Sequence, residues 1–188
     1  MRHLPNILTL LRLVLVPCFL MASMNRQWTL AFAIFVTAAV TDILDGALAR
    51  RLNVRSRLGA ILDPAADKTL MVCGFLFYSL YDGLPVIDIP NWLLFVVLIR
   101  DFTIIFFAYL LYTRVQISRF PPSIAGKAST VLQAVTVAVV IAVNGFLPQV
   151  KWLAEVLFRI SMLVTLYSGW DYLRRGDKQL NDGLEAQA

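Results

Sequence analysis

The stretch DILDGALARRLNVRSRLGAILDPAAD, Asp42 to Asp67, puts four aspartates and four arginines into 26 residues of an otherwise oily chain. On a helix, Asp42, Asp45 and Ala49 fall at i, i+3 and i+7 and share one face. Gly59, Asp63 and Asp67 fall at i, i+4 and i+8 and share another. The segment between the two sets, RLNVRSR, is short and basic, so the spacing predicts two antiparallel helices joined by a tight turn. Asp42 and Asp45 then lie at a depth similar to that of Asp63 and Asp67, about two turns or roughly 10 Å below the hairpin end.

Outward from this hairpin the chain is apolar almost everywhere. Of its 188 residues 59% are hydrophobic, and the mean hydropathy is +0.72. A soluble domain of this size is nearer half apolar. Six apolar stretches, at about 7–24, 28–49, 58–81, 91–112, 123–147 and 152–172, each approach the ~20 residues that cross a bilayer as a helix. They are apolar on every side, without the alternation of spanning β-strands. The expected fold is an all-α integral membrane protein with six transmembrane helices in one domain, residues 1–176. A polar, frayed tail, 177–188, follows. The first stretch has a basic start like a signal peptide. It lacks a clear small-residue cleavage pattern, and Asn6, Thr9 and Arg12 interrupt it, so it is read as retained.

The net charge is +5, and its distribution carries more information than its size. With six spans both termini lie on one side. That side collects Arg2, Arg50, Arg51, Arg55, Arg57, Arg114, Arg119, Arg174, Arg175 and Lys178, against Arg26 and Lys151 on the other. The positive-inside rule places both termini and the 50–57 segment in the cytoplasm, in the inner (cytoplasmic) membrane of a cell. Basic loops there suit anionic headgroups, and basic residues flanking spans argue against a nucleic-acid partner. One histidine, His3, and two isolated cysteines, Cys18 and Cys73, leave no His/Cys metal site and no Ser/His/Asp triad.

Four carboxylates at membrane depth need a counterpart. Repulsion and desolvation oppose their ionisation, and each charge costs about 2.5 kcal/mol even on the mildest insertion scale. Divalent cations resolve both problems, and an oxygen-only donor set favours Mg²⁺ or Mn²⁺. Two such ions held by carboxylates clamp a phosphate undergoing in-line displacement. Gly46, Ala49, Gly59 and Ala60 leave space for a ligand, or allow close helix packing. Arg50, Arg55 and Arg57 at the mouth suit phosphates, or act only as topology determinants. A carboxylate-based cation transporter is the competing class. It accounts for the acids but not for the basic mouth.

The pattern Asp42-x2-Asp45-Gly46-x2-Ala49-Arg50-x8-Gly59-x3-Asp63-x3-Asp67 resembles the signature of the CDP-alcohol phosphatidyltransferase family, with every position filled. The resemblance extends over nearly the whole chain. It implies six transmembrane helices, cytoplasmic termini, dependence on Mg²⁺ or Mn²⁺, a homodimer, and release of CMP from CDP-diacylglycerol. It makes Asp42, Asp45, Asp63 and Asp67 the metal ligands and Asp67 also the general base. Asp42, Gly46, Ala49, Arg50 and Gly59 become the nucleotide and diphosphate pocket. The start, PNILTLLR, resembles the family's amino-terminal segment, which brings Asn6 and Thr9 to the cytidine, although Asn6 also suits a helix cap.

Within the family, PNILTLLRLVLVP, GAILDPAADK and SGWDYL at 168–173 look most like phosphatidylglycerophosphate synthases and CMP-forming cardiolipin synthases. Glycerophosphate-using members tend to carry Arg-Glu in span four, a second Arg eight residues after the first, and Gly-Lys-x-Lys-Thr in span five. Here the residues are Arg100-Asp101, Ala108 and GKAST, with Ser129 at the second Lys. The RFPPSIAGKASTVLQ segment also resembles the cardiolipin synthase form. The expected acceptor is therefore phosphatidylglycerol, with glycerol 3-phosphate as the alternative. Arg100, Arg119 and Lys127 are the acceptor-binding candidates. For these three the competing roles are pairing with Asp101 and snorkelling to the interface.

Overall fold

The computed structural model describes the backbone of residues 4–52, 57–115 and 123–185, and the side chains of residues 14–41, 68–107 and 123–177. Six α-helices follow one another: α1 (Leu4–Met24), α2 (Trp28–Leu52), α3 (Arg57–Leu80), α4 (Asn91–Val115), α5 (Ile124–Gly145) and α6 (Lys151–Glu185). A single 3₁₀ turn, Pro148–Val150, precedes α6, and there is no strand among the described residues. The helices fall on the six apolar stretches. Among the described residues α5 is by itself long and apolar enough to cross a bilayer, and Val14–Met24, Trp28–Thr41 and Lys68–Leu80 are shorter apolar helical segments. The end of α6 departs from expectation: the helix continues from Asp177 to Glu185 where a frayed tail was expected. One turn earlier Arg175 donates to Asp171 at i, i+4, 3.0 Å, a pair that supports helix.

The chain divides into two compact units. The first comprises Met1–Ile89 with Ala134–Ala154. In it α1 packs on both α2 and α3. Phe19, Phe35, Phe75 and Tyr78 are fully buried. The Phe19 ring lies 5.5 Å from Phe35 and 6.2 Å from Tyr78, both tilted, at centroid distances typical of favourable aromatic pairs. Gly74 lets α5 come close: a Cβ there would stand 3.3 Å from Cγ1 of Val137. The buried hydroxyls of Tyr78 and Ser23 satisfy each other at 2.9 Å.

Turns close one end of this unit. Gln27 N–H donates to Ala22 O and Arg26 N–H to Ser23 O, which ends α1 in a Schellman motif. Arg26 takes the left-handed position at φ 55°, where glycine is usual, and its guanidinium reaches Gly83 O at 3.4 Å. Asn144, near the end of α5, accepts from Val86 N–H and Ile87 N–H at 3.0 and 3.2 Å. It also donates to Ile87 O at 2.7 Å and Val140 O at 2.9 Å. One buried amide thus satisfies the backbone of the loop before α4. Asn144→Ala would orphan these groups and cost about 2–4 kcal/mol. It is expected to lower the thermal midpoint of the detergent-solubilised protein by several degrees, and an unchanged midpoint would contradict the clamp.

The second unit comprises Pro90–Gln133 with Glu155–Ala188. Its interior is polar for so apolar a chain: Ser129, Gln133, Thr165 and Ser168 are buried. Gln133 Nε2 donates to Ser129 Oγ and Thr165 Oγ1 at 3.1 and 3.2 Å, which joins α5 to α6. Outside, Phe95, Ile99, Phe102 and Phe106 on α4 and Leu163, Tyr167 and Trp170 on α6 are exposed. Polar residues inside and large apolar ones outside invert the soluble pattern. These helices are compatible with a membrane protein.

Candidate functional site

The aspartates sit where the spacing put them along the backbone. Asp42, Asp45, Gly46, Ala49 and Arg50 belong to the closing turns of α2, which ends at Leu52, and Gly59, Asp63 and Asp67 to the opening turns of α3, which begins at Arg57. At 1.5 Å per residue, Asp42 is about 15 Å from the end of α2, and Asp67 is about 15 Å from the start of α3. Asp45 and Asp63 are each about 10 Å in. Asn6 and Thr9 belong to the opening turns of α1, the helix that packs on both α2 and α3. The side chains of all these residues lie outside the described set, as does Arg119. The proposed metal ligands, base and nucleotide pocket therefore rest on residue type and backbone position. By residue type, these four carboxylates could offer oxygen donors to Mg²⁺ or Mn²⁺.

Of the acceptor candidates in the second unit, Arg100 and Lys127 are among the described residues. Arg100, two and a half turns into α4, is 10% exposed in its side chain. Its Nη1 donates to Asp101 Oδ1 at 2.8 Å, so the pairing considered from the sequence is formed. Its Nη2 donates to Ser168 Oγ on α6 at 2.9 Å. Its Nε is buried and has no hydrogen-bond partner among the described residues. The guanidinium lies against the first turn of α5, where a Cβ on Gly126 would stand 3.2 Å from Nη2. Ser123 caps that turn by accepting from Gly126 N–H at 2.9 Å. Lys127 follows directly and is exposed. Arg100 and the Lys127 segment are thus brought together.

Ser129, at the position of the family's second Lys, is 1% exposed and bonded to Thr165 Oγ1 at 3.1 Å. It serves the α5–α6 contact. Sequence reasoning missed Ser168 and Gly126 as partners of Arg100. The motif SGWDYL was noted as a likeness, but nothing in it announces which hydroxyl meets a cation on another helix.

Comparison with known proteins fits this arrangement. Residues 2–167 match the family model described as CDP-alcohol phosphatidyltransferase, a span that includes the whole Asp42–Asp67 pattern. A probable phosphatidylglycerophosphate synthase of Mycobacterium tuberculosis is 36% identical over 180 residues, covering 92% of this chain and 81% of the relative. The CDP-diacylglycerol–glycerol-3-phosphate 3-phosphatidyltransferase of Aquifex aeolicus is 32% identical over 182 residues, covering 95% and 98%. A putative cardiolipin synthase of M. tuberculosis is 36% identical over 129 residues, covering 67% and 58%. With its aspartate pattern complete on two helices and its length matched nearly end to end, the chain is an enzyme of the CDP-alcohol phosphatidyltransferase family.

Proposed function

We propose that the enzyme transfers the phosphatidyl group of CDP-diacylglycerol to a hydroxyl of glycerol 3-phosphate and releases CMP. The observation that carries the reaction class is the four-aspartate pattern on the adjoining ends of α2 and α3, inside the segment matched by the family model. The choice of acceptor is supported by a relative matched over nearly its full length that is named for transfer to glycerol 3-phosphate. This reverses the order taken from the sequence, where Ala108 and Ser129 favoured phosphatidylglycerol. Ser129 is committed to helix packing, while Arg100 and Lys127 remain as cations for an anionic acceptor. A cardiolipin synthase acting on phosphatidylglycerol is the second reading, supported by the missing second Lys and by the cardiolipin synthase relative.

In this reading Asp42, Asp45, Asp63 and Asp67 would hold two Mg²⁺ or Mn²⁺ ions, which would supply charge neutralisation to the diphosphate and the leaving CMP. Asn6 and Thr9 contact the cytidine. Asp42, Gly46, Ala49, Arg50 and Gly59 shape the nucleotide and diphosphate pocket. Asp67 accepts the proton of the acceptor hydroxyl. The acceptor's hydroxyl oxygen then bonds to the phosphorus bearing diacylglycerol, in line, as the bond from that phosphorus to CMP breaks. Arg100, Arg119 and Lys127 hold the acceptor. Orientation and charge stabilisation supply most of the acceleration.

The six helices cross the inner membrane, with both termini and the active site toward the cytoplasm, and the enzyme works as a homodimer. The basic loops support that orientation. So do Trp28, Trp92 and Trp152, which stand at the first or second residue of α2, α4 and α6, helix ends that the span count assigns to the opposite interface, where Trp is enriched. Purified enzyme given CDP-diacylglycerol, Mn²⁺ and equal amounts of the two acceptors is expected to make phosphatidylglycerophosphate. Cardiolipin as the main product would replace the first reading with the second.

A further inference from the structure

A buried guanidinium with one nitrogen unpaired is costly, because a charged donor loses water and gains nothing in return. Arg100 is in that position. Asp101 takes Nη1–H, Ser168 takes Nη2–H, and Nε–H is left without a partner among the described residues. The guanidinium also stands beside the first turn of α5, whose dipole presents positive charge. An acceptor oxygen at Nε–H would satisfy the unpaired donor, and an anionic one would add a favourable charge that Asp101 supplies only on the Nη1 side. The side chain does not turn to find one elsewhere, because its other two nitrogens are held.

We infer that Ser168 and Gly126 are positioning residues that hold Arg100 so that its Nε–H receives an oxygen of the acceptor. Ser168 is 1% exposed, so its hydroxyl is a fixed acceptor for Nη2–H and not a surface group that samples many partners. Gly126 supplies the space: a Cβ would stand 3.2 Å from Nη2 and 3.3 Å from Ser123 Oγ, tighter than ordinary contact. Asp101 fixes the third corner at 2.8 Å. This inference rests on the reading of Arg100 as an acceptor contact and names the residues that tune it.

The test separates the two substrates. Initial rates are measured with glycerol 3-phosphate varied at saturating CDP-diacylglycerol, and then the reverse. Ser168→Ala is expected to raise the KM for glycerol 3-phosphate about tenfold, the scale of one hydrogen bond to a charged group, and to leave the KM for CDP-diacylglycerol within about twofold. Gly126→Ala is expected to shift the same constant in the same direction. Ser168→Thr, which keeps the hydroxyl, is expected to recover most of the loss. Arg100→Ala is the control for the underlying reading. If it leaves the KM for glycerol 3-phosphate unchanged, Arg100 is not an acceptor contact and the reading itself fails. If Arg100→Ala raises that KM while Ser168→Ala and Gly126→Ala do not, positioning by these residues is overturned. An equal rise in both KM values for Ser168→Ala would mark a merely structural residue and would overturn it too.

Discussion

Asp67→Asn is expected to lower turnover by about 10²–10⁴-fold while CDP-diacylglycerol still binds. Asparagine keeps the size of the side chain and one carbonyl oxygen toward a metal ion, but it cannot take the proton of the attacking hydroxyl. Asp67 lies about 15 Å from the start of α3, as far along its helix as Asp42 is from the end of α2. It is also the acid that the family resemblance makes the base. Binding of the CDP-lipid, measured with labelled substrate, separates loss of the base from loss of the site. Unchanged turnover would remove Asp67 from the proton transfer. Loss of both binding and turnover would make it a ligand only.

Chelation of divalent ions is expected to abolish activity, and Mn²⁺ or Mg²⁺ to restore it. The reason lies in the donor set. Four aspartates gathered at one site would repel one another without a cation, and the sequence has one histidine and two isolated cysteines to offer a softer metal. Ca²⁺ is expected to restore little, because it prefers more oxygen ligands at longer distances than Mg²⁺. A rate that survives chelation would leave the carboxylates without the role proposed for them.

The helices were legible from the sequence because their boundaries carry strong signals. Pro90-Asn91 opens α4, Trp28 opens α2, and Gly145 closes α5, each at the edge of an apolar run. The order of the aspartates along α2 and α3 was legible because helical spacing alone sets it. The partner of Arg100 was only half legible. Asp101 is adjacent in the chain and was considered, whereas Ser168 is separated by 68 positions and is one hydroxyl among many. Asn144 was hidden for the same reason, since its partners Val86 and Ile87 lie across the chain in an irregular loop. The helical extension to Glu185 was missed because a polar segment resembles a tail unless its i, i+4 pairs are weighed. The acceptor was least legible. The sequence argument for it rested on a few positions in α4 and α5, and one of them, Ser129, serves helix packing.

Mn²⁺ binding to the purified chain, titrated with and without CDP, tests the central claim most directly, because it asks whether the aspartate pattern is half of a metal–diphosphate site. The wild-type enzyme is expected to bind two ions per chain, more tightly with CDP present. Asp42→Asn and Asp63→Asn are each expected to weaken that binding at least tenfold, no less than the loss of an outer-shell partner of a metal ligand does. Mn²⁺ binding that is absent in the wild type, or unchanged in both variants, would contradict the account.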